Sequence, residues 1–475
     1  MIIDNLSSLE NIKHPVIIIG SGPAGITTAL KLEQNKINSL IIEAGGIQPD
    51  ENTSEYLRGE VVGDNYPDLS TIRLRQFGGT SGIWGGNCNS FRKDDFDEWP
   101  IKLKDLNVFE KEAKEILNLK DEFYNIDFSE NFKLYNLNWS NVRFGDKYLH
   151  HIQNSKYINM SLNTNFINFN FKEKKVDTIN CLKNNNSYNL NAKCYVLCCG
   201  GIENSRLMLW STKKNSLSHN LNLPIGNYYM NHPYYNIGEG LVVYDKYKNF
   251  FLTNNIKKSH FVTCKSSIYL SGKKEFLIKS KILNSGLYIS FDTKNRNNLI
   301  DQIRCVAPNY FKKIYEDIKA KNIYDISIDV LQEQKPEKTN SITLGKNKDP
   351  SEIPLSKIYW KRSNTEKQSV KLLAEKLGEL FLENEIGRIG LKNYIFDKNI
   401  DFEFTTGNHQ LGGTRMGNSE NDSVVDKNLK VHNIQNLYIN GSSVFRSAGH
   451  CHPTFTIVKL SLKLGNYLKN IVQYL

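Results

Sequence analysis

A chain of 475 residues exceeds what one hydrophobic core usually organises, so two domains are expected. Hydrophobic residues at 39% and charged residues at 23% describe an ordinary globular protein and exclude a disordered one. The net charge of +11 is dispersed, with no block of like charge and no basic helix interleaved with aromatics. That excludes a nucleic-acid surface and leaves a solvated face rich in Lys and Asn, or an acidic substrate.

The run Val16–Ile19 is continuously β-branched, which predicts a strand buried on both faces. Gly20, Gly22 and Gly25 follow, then a helical pattern from Ile26 to Asn35 and a second buried strand, Ser39–Glu43. This is a βαβ unit, so a parallel sheet begins here. Residues 76–91 are rich in Gly, Ser and Asn and read as a loop or helix start, and residues 96–155 are polar with scattered aromatics and no clear order. Met160–Phe171 reads as one strand. Lys193–Cys199 reads as another, ending in Gly200 and Gly201 and leading into a helix from Ile202 to Trp210. From 241 to 400 the pattern alternates as in antiparallel sheet, for example Phe261–Cys264 and Leu287–Ser290, with a helix at Gln368–Glu383. Leu437–Asn440 is a last short strand, and Pro453 opens an amphipathic helix to about Tyr467.

The eight cysteines form no Cys-x-x-Cys pair, and Cys194, Cys198 and Cys199 lie on or beside an apolar strand. Neither a disulfide framework nor a zinc site is expected, and no metal. The first apolar run is a short strand with no basic segment before it, and no run of about 18 apolar residues occurs. The expectation is a reduced, soluble, cytoplasmic protein with no transmembrane segment.

Four elements carry chemistry. Gly20-x-Gly22-x-x-Gly25 between strand and helix is a dinucleotide fingerprint: a tight turn, a close backbone approach to pyrophosphate, and close helix–strand packing. Glu43 ends the second strand, where a carboxylate accepts from an adenosine ribose and repels a 2′-phosphate. FAD or NAD fits, and NADP fits less well. Gly78, Gly79, Thr80 and Ser81 open a second glycine-rich loop, Phe77–Asn87, able to wrap a diphosphate and a ribityl chain or to be a flexible surface loop. Val196–Arg206 is a strand, a glycine turn and a helix start, equally consistent with plain α/β architecture. Last, His409 in Asn408–Gly417 and His452 in Gly449–Thr456 both flank glycine-rich turns, and His452 precedes a helix N-terminus that can face negative charge. His232, His432 and His450 are rivals, read as structural or outer-shell residues.

Together these segments resemble the glucose–methanol–choline (GMC) oxidoreductases, a family of FAD-dependent alcohol oxidases and dehydrogenases. The strongest resemblance runs from His409 to about Leu468 and includes Gly412, Thr414, Met416, Gly417, Val425, Asp426, Gly441, Ser442, Ser443, Pro453 and Thr454. Gly45 and Gly46 after Glu43 lean towards FAD by the same resemblance. It implies that His409 is the catalytic histidine and that His452 occupies the second active-site position. It also implies that Gly441, Ser442, Pro453 and Thr454 join Gly20, Gly22, Gly25, Glu43 and Gly78–Ser81 in binding FAD. The loop Gly82–Trp84 holds no histidine for covalent attachment, so FAD is expected to be non-covalent.

The expected fold is α/β: a discontinuous Rossmann-like FAD-binding domain (1–95, 156–240 and 401–475) with a sheet-based α+β substrate domain (96–155 and 241–400). The expected reaction is oxidation of a CH–OH donor to a carbonyl, with a histidine base and hydride transfer to flavin N5. A sugar or sugar derivative is the first candidate substrate by analogy. The electron acceptor is left open between oxygen, a quinone and another carrier. Two alternatives stand: another flavin- or NAD-dependent oxidoreductase, acting on amines or redox-neutral, and a non-catalytic protein keeping the fold.

Overall fold

The computed structural model describes residues 1–215, 221–252, 268–291, 323–397 and 399–474, with positions 308 and 312. The alternating run at Phe261–Cys264 lies outside the described residues, as does Cys305.

Strand Lys13–Ile19 lies at the centre of a seven-stranded sheet because Val16–Ile19 are buried on both faces. Ser39–Ile42 pairs parallel to it on one side, with Val16 opposite Ser39, and Ile158–Ser161 lies beyond. On the other side runs the strand Asn186–Leu197. Its first half pairs antiparallel with Lys175–Lys183 and is partly exposed. Its second half is buried between Lys13–Ile19 and Leu437–Ile439, both parallel to it. The helices Pro23–Gln34 and Thr454–Tyr474 pack together on this sheet. The crossing is close at Gly465, where a Cβ would come within 2.7 Å of Lys31 Cβ. The final helix runs past Tyr467 to Tyr474 because Leu468 and Val472 continue its buried stripe.

A second, eight-stranded sheet is antiparallel, ordered Gly387–Leu391, Pro233–Val243, Ile323–Gln332, Ser285–Phe291, Ile268–Gly272, Phe132–Tyr135, Asn125–Asp127, with Thr405–Thr406 against Pro233–Tyr234. Ile326, Ile328 and Val330 join Leu373, Leu377 and Phe381 of helix Asn364–Glu383 in a separate core. A capping box starts that helix: Ser363 N–H donates to Glu366 Oε2 at 2.5 Å and Glu366 N–H donates to Ser363 Oγ at 3.4 Å. A small third sheet joins Ser341–Lys348, Pro354–Trp360 and Gly59–Gly63.

The architecture is α/β with a discontinuous parallel-sheet unit and an antiparallel α+β unit, but the boundaries differ from the sequence expectation. Residues 96–155 do not form one block. Phe96, Trp99, Leu106, Phe144 and Ile152 pack in the first core, whereas Phe128, Phe132 and Leu134 pack in the second. After the strands Asn125–Asp127 and Phe132–Tyr135, the antiparallel unit resumes at Pro233 rather than near 241, and Gly59–Gly63 leaves the first unit to pair with Pro354–Trp360. Met160–Phe171 is two strands, because Leu162–Thr164 turns between Ile158–Ser161 and Asn165–Lys172 with Asn163 left-handed at φ 51°.

Candidate functional site

The three glycines after the first strand have three different surroundings. Gly20 has φ 98°, and a Cβ there would lie 2.7 Å from Cys198 O. A Cβ on Gly25 would lie 2.0 Å from Gly20 O, so this glycine seats the helix on the turn and does not line the cavity. At Gly22 a Cβ would meet nothing within 4 Å, because it would project into a cavity of about 620 Å³. Gly85 and Gly200 face open space in the same way and line the same cavity.

Three helix N-termini reach this cavity: Gly22–Ala24 of the first helix, Gly200–Glu203 of helix Gly201–Lys214, and Pro453–Thr454 of the last. Each presents unpaired backbone N–H groups and positive dipole, a setting for anionic groups. Glu43 ties the first loop to the second strand: Oε2 accepts from Ser21 N (2.9 Å) and Ser21 Oγ (2.7 Å), and Oε1 accepts from Gly45 N (2.8 Å). Burial pushes its carboxyl above the ordinary value, while these donors and nearby Arg75 oppose that. The second loop lies over the first, with Gly78 N donating to Ser21 O at 3.1 Å. Gly78 (φ 88°) packs against Gly145 and does not line the cavity, whereas Gly79, Thr80 and Ser81 do. Gly441 and Ser442 also line it, and Ser442 Oγ donates to Gln410 O at 2.5 Å.

His409 and His452, 43 positions apart in the numbering of the chain, meet on this cavity with ring centroids 5.0 Å apart and planes at 77°. Paired strands Pro233–Val243 and Thr405–Thr406 place His409: Gly407 N donates to His232 O at 2.7 Å. The Asn231 side-chain oxygen accepts from both His232 N (2.8 Å) and His409 N (2.9 Å). Behind His409 stands His232, with the two Nδ1 atoms 2.7 Å apart. His452 N donates to Asn89 Oδ1 at 2.8 Å, and Tyr288 Oη lies 3.4 Å from His452 Nε2. His452 Nδ1 is buried with no partner among the described residues, and so is Gln410 Nε2. Burial is the main cause holding these imidazoles neutral: His232 is lowered to about 4, His452 to about 3, and His409 well below its usual value, with His232 and His452 adding to the last.

The other rivals lie elsewhere. His450 is buried beside Asn284, whose Nδ2 is 2.9 Å from His450 Nδ1, and His432 Nε2 is 3.0 Å from Ser423 Oγ. Asp95, His450 and Cys451 bring ligand atoms within 4.8 Å of one another. The guanidinium of Arg92 acts on all three, so this trio is a poor cation site.

Several lining residues had no sequence signal. Tyr234, Tyr288 and Leu331 face the cavity from the antiparallel sheet, since Tyr234 pairs with Leu331 and Tyr288 with Asp329. One wall is a buried ionic chain: Arg73 to Glu203 (2.7 Å), Glu203 to Arg206 (2.8 Å) and Arg206 to Asp349 (3.0 Å). The extended backbone of His232 could have been read from sequence, since it precedes Pro233 at a strand start. The tyrosines and the ionic wall could not, because only tertiary pairing brings them here.

Residues 336–461 match the family model of the GMC oxidoreductases. The fructose dehydrogenase large subunit of Gluconobacter japonicus is 28% identical over 160 residues, covering 34% of this chain and 28% of that protein. Pyranose 2-oxidase of Tricholoma matsutake is 42% identical over 55 residues, covering 12% and 10%. The chain thus matches only 28% and 10% of the length of these two curated relatives. Among solved structures, pyridoxine 4-oxidase from Mesorbium loti has a TM-score of 0.62 at 14% identity, over 96% of this chain and 99% of that one. An FAD-dependent oxidoreductase from Chaetomium thermophilum gives 0.61 at 14%, over 96% and 99%. At this identity the likeness shows a shared fold. Among the described residues no helix is long and apolar enough to cross a membrane.

Proposed function

We propose, from the match of residues 336–461 to the GMC oxidoreductase family model, that this chain is an FAD-dependent enzyme oxidising an alcohol to a carbonyl, with His409 as the base. The observation that carries this reading is convergence: the imidazoles of His409 and His452 line the cavity that begins at the Gly20–Gly25 turn.

The residues fit the cofactor. Gly22, Gly85 and Gly200 leave open the space their side chains would fill, and three helix N-termini reach the same space. The Gly20–Ala24 turn would hold the pyrophosphate. Glu43 uses three of its roughly four acceptor positions within the protein, leaving one for a ribose hydroxyl. Gly79–Ser81, Gly441, Ser442, Pro453 and Thr454 complete the cradle. No histidine occurs in the loop Gly82–Trp84, which supports non-covalent binding. The chemistry that bound FAD supplies is hydride acceptance at N5.

The chain's own groups handle the proton. His409 is neutral, and its Nε2 makes no hydrogen bond among the described residues, so it can take the hydroxyl proton. His452 lines the same cavity, and an imidazole N–H there can hydrogen-bond the oxygen as it becomes alkoxide-like. The antiparallel sheet closes this end with Tyr234 and Tyr288, and Asn408 and Gln410 add amides. Aromatic faces beside amides suit a polyol, so a sugar or sugar derivative is the first substrate class to test. The electron acceptor is a dehydrogenase's carrier in this reading, tested against oxygen.

The test is His409→Ala. The variant should stay yellow and lose anaerobic bleaching by alcohols and sugars, a fall of about 10²–10⁴-fold if proton transfer is the missing step. Bleaching at the normal rate would remove His409 as the base, and bleaching by amines alone would replace the alcohol reading.

A further inference from the structure

We propose that His232 is a positioning residue that sets the tautomer of His409, keeping the proton on Nδ1 and leaving Nε2 bare towards the cavity. This rests on the reading of His409 as the base.

The argument starts at two backbone carbonyls. His232 Nε2 lies 3.0 Å from Gly449 O and 3.2 Å from Ala448 O. A carbonyl only accepts, so Nε2 of His232 must carry its hydrogen. Deep burial keeps this ring neutral, and a neutral imidazole has one N–H. Nδ1 of His232 is therefore an acceptor. The atom 2.7 Å from it is Nδ1 of His409, which must donate. A neutral His409 with its hydrogen on Nδ1 has a lone pair on Nε2. The chain of constraint thus runs from the Ala448–Gly449 backbone through one imidazole to the next.

Geometry holds the pair in place. The rings stand at 89° with centroids 5.0 Å apart, and the single side-chain oxygen of Asn231 fixes both backbones. Among the described residues, the groups that act on His409 are His232 and His452, with no carboxylate among them, and those that act on the His232 ring besides His409 are the Ala448 and Gly449 carbonyls. A neutral acceptor orients the base without putting a formal negative charge behind it. When Nε2 takes a proton, the positive charge spreads to Nδ1, and the hydrogen bond to His232 becomes charge-assisted. The same orienting logic sets histidine tautomers in catalytic triads and metal sites.

The decisive measurement is ¹⁵N NMR of histidine-labelled protein without added substrate, with His409 assigned by its loss in His409→Ala. Wild type should show His409 protonated at Nδ1 and bare at Nε2. In His232→Leu the population should move to the Nε2–H form, and flavin reduction in the loaded enzyme should fall on the order of 10²-fold with half-saturation little changed. His232→Gln offers an amide oxygen to His409 and an amide N–H to the carbonyls, and should restore both the tautomer and most of the rate. Wild-type His409 protonated at Nε2 would overturn the proposal without any variant. So would an unchanged tautomer in a folded His232→Leu protein. Failure of the base reading is separate: there, His409→Ala reduces flavin normally while the tautomer can still follow His232.

Discussion

Each glycine of the first turn answers to a different neighbour, so the three should fail differently. Gly22 has φ −69°, an ordinary value for alanine, and its Cβ would enter the cavity without touching protein. Gly22→Ala should therefore fold normally and lose FAD affinity, by about tenfold or more, because a methyl group occupies the backbone's approach to the pyrophosphate. Gly25 is the reverse. Its Cβ would lie 2.0 Å from Gly20 O, so Gly25→Ala must push the helix off the turn and lower the melting temperature of the apoprotein. Apoprotein melting and FAD titration on both variants separate the two effects, and a stable Gly25→Ala protein would show that the turn is looser than its packing. The fingerprint was readable from sequence because its glycines sit at a fixed spacing between a strand and a helix, although the atom that crowds Gly20, Cys198 O, lies far along the chain. His232 was readable only as a rival: its number gives no sign that it stands behind His409 until Pro233–Tyr234 pairs with Thr405–Thr406.

Among the elements, the first and last helices act as a pair, since both present their N-termini to the cavity and cross at Gly465. A Cβ there would approach Lys31 Cβ to 2.7 Å and Cγ to 2.9 Å. Gly465→Leu should part the helices and spread the two N-termini, weakening FAD binding from a position distant from the cavity lining. The expected readout is faster release of flavin fluorescence on dilution, while a Gly465→Ala variant, which asks less of Lys31, should lie between. Equal retention in all three proteins would mean the crossing does not set the cradle. The βαβ unit and the long helices were legible because burial and period agree over short windows, as in Val16–Ile19 and Leu373–Leu377–Phe381. Residues 96–155 were not, since Phe96 and Phe132 are chemically alike and only tertiary packing sends one to each core. The same limit hid Tyr234 and Tyr288, whose cavity-facing side follows from antiparallel register.

For the whole molecule, the cavity is a junction between separately packed regions. Its lining draws Gly20–Ala24 and Pro453 from the parallel-sheet unit, Tyr234, Tyr288 and Leu331 from the antiparallel sheet, and Asp349 from the turn of the small sheet. A ligand held there contacts surfaces that exist together only when all three sheets are folded and docked. It should therefore stabilise the entire assembly by linkage, with no need for a new protein–protein contact. Adding FAD to the apoprotein at about 100 times its Kd should raise stability by about 2.7 kcal/mol, seen as a higher melting midpoint that increases with FAD concentration. With FAD held non-covalently, as proposed, acid precipitation of the loaded protein should leave the flavin in the supernatant. A midpoint indifferent to FAD would separate the cavity from the cofactor. Flavin retained in the precipitate would instead keep the cofactor and overturn its non-covalent attachment, pointing to a nucleophile such as Cys198, Cys199, His409 or His452 among the lining residues.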